Sequence, residues 1–199
     1  ITGKDAKNVL LDGNGHTVSG YTLNGALFSS MVNSAVRNIV FSDIKATPVS
    51  GEASVAVISK SVDGNSYVTN CKFENCTIDA GNVADGLKAA FVTDDNNGVI
   101  TSCVVENTCK VLLDTDAVTD DIYVGGIAAY SKYYIYSSIS RADFSGVKAK
   151  TADGYYALFL GGIAGYNHKA DYIEGCFAEV TAPSADNNAT FGYFSAYGK

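Results

Sequence analysis

The sequence has no tryptophan, one methionine, two prolines and, among its 14 basic residues, only two arginines, Arg37 and Arg141. Each shortage excludes something. A formal charge of −7 with no basic run removes the electrostatic footprint of a nucleic-acid binder. No apolar run approaches the ~20 residues that a membrane-spanning helix needs. No window carries the three-and-four spacing of an amphipathic helix, so helices are not expected. No C-x-x-C occurs and His16 and His168 lie far apart, which leaves zinc without a ligand set. No leader precedes Ile1, so the chain reads as a trimmed piece of a longer protein. Twenty glycines against two prolines, with many β-branched residues, describe short strands joined by tight turns. The 199 residues are 47% hydrophobic, enough to bury the core of one domain spanning 1–199.

What is present is a repeated phrase. Gly161-Gly162-Ile163-Ala164-Gly165-Tyr166-Asn167 is followed by Tyr172-Ile173-Glu174-Gly175-Cys176, and Gly125-Gly126-Ile127-Ala128-Ala129-Tyr130 by Ile135-Tyr136-Ser137-Ser138-Ile139. Five rows align by hand, starting at Val36, Val68, Ile100, Tyr136 and Ile173. They place Ile39, Cys71, Cys103, Ile139 and Cys176 in one column, at steps of 32, 32, 36 and 37 residues. Each row is preceded by a second strand, at 26–29, 54–59, 89–93, 125–130 and 161–166, and a sixth such strand, 191–197, follows the last row. Loops of variable length fill the rest: 48–52, 80–86, 114–121, 148–154 and 183–188. Apolar or small residues alternate within a row, as in Ile39, Phe41 and Ile44, which fits a strand with one buried face. A row too small to bury its own face must stack on the next. The fold expected is all-β: a parallel β-helix of five to six coils, roughly 25–30 Å long at ~4.8 Å per coil. Solenoids need polar caps. The aromatic strand 191–197 has none, so further sequence or a second copy is expected to cover that end.

The Gly-Gly-Ile-Ala-Gly-Tyr-Asn phrase with Ile173 and Cys176 resembles the GLUG repeat of large bacterial surface and adhesin-like proteins. Leu11-Asp12-Gly13-Asn14-Gly15-His16-Thr17-Val18 resembles the entry strand of pectin-lyase-like β-helices. The resemblance implies a right-handed β-helix on an exported protein at a bacterial cell surface. It supplies no catalytic residues.

Candidate chemistry is sparse. Cys71, Cys103 and Cys176 fall in an inward column as small apolar plugs, with Cys76 at the next bend and Cys109 one place off that bend's column, at Thr108. A Cys76–Cys109 disulfide between adjacent coils is the alternative. Glu74 and Glu106 share an outward column on adjacent coils, the separation at which a retaining glycosidase holds its carboxylates, though Lys72 lies beside them. Asn75 and Asn107 suggest a stacked amide ladder. Asp114, Asp116, Asp120 and Asp121 form an acidic loop with oxygens for calcium, as does the 94–98 stretch, yet neither follows a known calcium spacing. Eleven of the 13 tyrosines lie at or after Tyr123. Tyr133, Tyr134, Tyr155, Tyr156, Tyr193 and Tyr197 are the candidate ligand-binding residues, because a phenol offers an apolar face and a polar tip to sugars and proteins. The expected function is non-enzymatic: an extracellular adhesion or display domain that contacts a glycan or a surface protein. The alternative is a carbohydrate-active β-helix enzyme.

Overall fold

The computed structural model describes residues 3–83, 86–118, 120–151, 157–169, 172–183, 189–192 and 194–198, with the side chains at 116, 117, 150, 151, 189 and 196–198 left aside. The chain winds into five parallel sheets of seven, six, six, five and five strands. One full turn shows the plan. Ser59–Val62 lies on face one, Tyr67–Thr69 on face two, Lys72–Glu74 on face three, Thr77–Gly81 on face four and Lys88–Ala90 on face five. Thr93–Asn96 then returns to face one, beside Ser59–Val62 and in parallel with it.

Four turns are complete, starting at Phe28, Ser59, Thr93 and Ala128, and a partial turn lies at each end. The first, 4–24, has faces one to four only. Among the described residues the last touches face four at one bridge, Asp143 to Thr181. This is the expected solenoid, with the five to six coils resolved into four full turns and two partial ones.

Period-two burial drives it. Phe41, Phe73 and Val105 stack inward on face three, and the Phe41 and Phe73 rings lie 5.3 Å apart at 15°. Phe91 packs on Phe73 from the turn between faces five and one. None of these residues is more than 2% exposed.

Corners are made by left-handed residues. Asn38, Asn70, Ser102, Ser137 and Gly175 all have φ between 46° and 62° and turn the chain from face two to face three. Asn pays least among side-chain-bearing residues for that conformation. The Asn70 amide also donates to Asn38 Oδ1 at 2.8 Å. The amide ladder thus sits at this corner. No hydrogen bond joins the Asn75 and Asn107 side chains; in that place Thr108 Oγ1 accepts the Asn75 backbone N–H.

Four sequence expectations shift. The fourth row starts at Ile135, which pairs with Ile100, so Ser138 and not Ile139 continues the cysteine column. Ser138 is fully buried and its hydroxyl accepts the Cys103 N–H at 3.2 Å. Cys109, not Thr108, stacks on Cys76, because Lys110 pairs with Thr77 and the turn at 106–108 absorbs one extra residue. Four of the expected second strands, at 54–59, 89–93, 125–130 and 161–166, are each a bend between two strands. Ile122–Gly125 lies on face five and Ala128–Ser131 on face one, with the glycine phrase at the fold between them. A Cβ on Gly125 would come within 1.7 Å of the Ala128 carbonyl oxygen, so only glycine fits. Two of the expected loops are also paired strands: Lys110–Val118 and Asp143–Thr151 run side by side on face four.

Candidate functional site

The aromatic side chains gather on the later turns. On face five Tyr123 stacks on Phe159, rings 5.2 Å apart at 9°. On face one Tyr130 stacks on Tyr166 at 4.4 Å and 12°. Tyr123 meets both of these edge-on. Lys88 and Lys132 place their ammonium groups over the Tyr130 ring, at 5.1 and 5.0 Å. Both also reach Asp95, so their charge is held locally. Burial, then the nearby Asp121 carboxylate, pushes the Tyr123 phenol well above its ordinary value.

A second group wraps the next corner. Tyr133 meets Tyr134 at 4.5 Å, Tyr134 stacks on Tyr136 at 5.1 Å, and Tyr172 touches both Tyr133 and Tyr134. Lys169 sits over Tyr172 at 5.4 Å. All eight aromatic residues of the two groups are half-buried. Stacked rings spend their faces on one another, so each ladder presents mainly ring edges and hydroxyls outward.

Of the candidate tyrosines, the structure thus brings Tyr133 and Tyr134 together. Tyr197 follows on face one, its backbone paired with Tyr166. Tyr155, Tyr156 and Tyr193 lie outside the described residues. Sequence reading missed Tyr123, Tyr130, Tyr166 and Tyr172. The signal was available, since Tyr130 and Tyr166 occupy the same place in the two best-matched repeats.

The carboxylates are adjacent as expected, but engaged. Lys72 Nζ lies 2.5 Å from Glu74 and 3.0 Å from Glu106. The corrected register also puts Arg141 in the same outward column, one turn on. It contacts Glu106 at 3.3 Å and Glu179 at 3.8 Å. The hydrogen bonds to Glu74 and Glu106 raise the Lys72 pKa. Two cations between three carboxylates make a charge ladder, which needs no shared proton. Glu106→Gln is expected to lower stability by only about 0.5–1 kcal/mol, read as a small shift in urea midpoint. A loss of several kcal/mol contradicts a solvated ladder.

The acidic stretches are dispersed. Asp114 stands on a paired strand, 3.7 Å from Lys148. Asp120 accepts the Asp121 N–H. Asp121 accepts the Ala157 N–H and the Tyr123 hydroxyl. The Asp116 side chain is outside the described ones. Only residues 97 and 98 of the 94–98 stretch form a turn, because Thr93–Asn96 is a face-one strand and Asp94 is 1% exposed. No cluster of metal-ligating side chains occurs among the described residues.

All five cysteines are free thiols. Cys103 follows Cys71 and Cys109 follows Cys76 one turn on, and the Cys71, Cys76 and Cys103 thiols donate to backbone carbonyl oxygens. In each pair the neighbouring thiol, then burial, pushes the second thiol up and away from reactivity.

At the N-terminal end a mostly apolar cavity of about 330 Å³ opens between Val18, Leu23, Leu27, Phe41, Ile44 and Val57. It follows from the missing face-five strand of the first turn. No helix among the described residues is long and apolar enough to cross a membrane.

No family model matches the chain, and no curated protein does. Among solved structures, it is similar to a 1.30 Å crystal structure described as a "putative immunoglobulin A1 protease" from Bacteroides ovatus. The TM-score is 0.50 at 13% identity, over 92% of this chain and 68% of that one. At that identity the likeness concerns the fold: an all-β parallel solenoid.

Proposed function

We propose that this chain is a non-enzymatic binding or display segment of an exported bacterial surface protein, and that its aromatic belt touches a glycan or a surface protein. One observation carries the reading. Eight aromatic side chains from five strands and the turns beside them gather on the later turns, whereas Glu74, Glu106 and Glu179 are tied into ion pairs. Tyrosine suits such a surface because it adds contact area at little entropic cost and keeps a hydroxyl for hydrogen bonds. The glycine-rich repeat phrase supports an extracellular setting.

The test is a glycan array and a panel of extracellular matrix proteins probed with the purified chain. Tyr133→Ala with Tyr172→Ala is expected to weaken the bound partner at least tenfold, about 1.4 kcal/mol, with the β-sheet circular dichroism unchanged. Silence on both arrays reduces the domain to a spacer. Polysaccharide turnover that Glu74→Gln or Glu106→Gln abolishes replaces this reading with the enzymatic one.

A further inference from the structure

Face five begins at an exposed edge. Ser54–Ala56 is its first strand, because the initial turn supplies none. On its outer side the Ala56 N–H reaches Gly25 O, the residue that short-cuts the missing strand. Edge strands with few partners are the first to detach. From the next turn it is held by the ladder to Lys88–Ala90 and, through the Ser54 side chain, by Asp94.

Asp94 lies one turn on from Lys60 in face one, since Ser59 pairs with Thr93 and Ser61 with Asp95. Later turns put Ala129 and Gly165 in its place, where faces five and one approach too closely for a larger group. Its carboxyl is therefore wedged into a corner built for small residues. Ser54 Oγ donates to Asp94 Oδ2, and Asp94 Oδ1 is buried without a hydrogen-bond partner. The charged groups bearing on it are Lys60, Lys88 and Asp95. None is committed to it. Lys60 contacts Glu52, and Lys88 lies 3.5 Å from Asp95.

We infer that Asp94 is a proton-operated latch on the Ser54–Ala56 edge strand, closed while the acid is neutral and released when it ionises. A buried carboxyl without a committed cation carries a large desolvation cost once charged. The cheapest relief is for water to enter where the fold is thinnest, by lifting Ser54–Ala56 with the 48–53 loop. That movement uncovers Val55, Val57 and Leu87, all fully buried in the closed form.

The sign follows from the direction of the shift. Burial raises the Asp94 pKa well above 3.8, against weaker pulls from Ser54, Lys60 and Lys88. The latched form thus holds a proton that the open form releases. Latching is complete below the ordinary carboxylate value and is lost as pH rises through the raised one.

Hydrogen exchange of the Ser54–Ala56 amides, corrected for intrinsic rates, tests this from about pH 5 to about pH 9. The wild-type opening constant is expected to rise by up to about tenfold per pH unit above the ordinary carboxylate value, while the closed form still holds its proton, and to level off once the closed form's own acid ionises. It should stay flat in Asp94→Asn, and in Asp94→Ala, which copies the next turn and serves if the asparagine variant folds poorly. Ser54→Ala should exchange faster at every pH while keeping the slope. Equal pH profiles in the wild type and the Asp94 variants overturn the latch. So does a wild-type slope shared by Ile122–Gly125, which would indicate global unfolding.

Discussion

Gly161→Ala is expected to cost at least about 4 kcal/mol, beyond the range of ordinary substitutions. In a protein of this size that lowers Tm by roughly 8–16 °C. The cause is a collision and not a dihedral preference. A Cβ at Gly161 would lie 1.6 Å from the Ala164 carbonyl oxygen and 2.4 Å from its carbon. Both atoms are backbone, held by the face-one ladder, so neither can yield cheaply. Gly125 makes the same contact one turn earlier and should behave alike. Gly51 is the control. Its φ is +83° but nothing lies within 4 Å of its would-be Cβ, so Gly51→Ala should cost only about 1–2 kcal/mol. Thermal melts of the three variants check the ranking, and a Gly161→Ala protein as stable as Gly51→Ala refutes the close approach.

Phe73→Ala is the second large effect. Phe73 is fully buried between Phe41 and Phe91, so it joins two successive turns to the fold between faces five and one. Truncation should cost about 3–5 kcal/mol. Each turn of a solenoid touches only its neighbours, so the damage should also weaken coupling between the halves. A broadened or two-step urea transition is therefore expected. Val18→Ala provides the comparison. Val18 stacks over Phe41 on the same face but is 41% exposed at the open end, and it should cost under about 1 kcal/mol. Equal losses at Val18 and Phe73 would mean that the core is not graded from end to middle.

The repeat was legible because burial at alternate positions recurs whenever a turn has the same length. Rows at Val36, Val68 and Ile100 are 32 residues apart, and they pair as aligned. The alignment slips at the fourth row because the intervening strand and loop lengthen, and a row starting at Tyr136 puts Arg141 in an inward place. In the true register Arg141 faces out, onto Glu106, and the buried place belongs to Ser140. The mistaken row thus concealed the cation that closes the acidic ladder. Cys109 was misplaced for a related reason, since a one-residue turn insertion leaves no mark on hydrophobic periodicity.

Asp94 was read as part of an acidic turn because an Asp-Asp-Asn-Asn-Gly run carries the composition of a loop. Only the close approach of two faces shows that one of those acids is enclosed. The tyrosine enrichment was visible, but its division into stacked ladders needs the turn-to-turn pairing. The glycine phrase was recognised and its role misread: a pair of glycines in an apolar run resembles a strand until the second backbone it must pass is known.

The stacking of turns is tested most directly by nuclear Overhauser contacts among isotope-labelled methyl groups of Val68, Ile100 and Ile135. These residues pair in sequence along face two. Strong contacts from Val68 to Ile100 and from Ile100 to Ile135, at the ~4.8 Å spacing of neighbouring strands, are the result the solenoid requires. Absence of these contacts would contradict it.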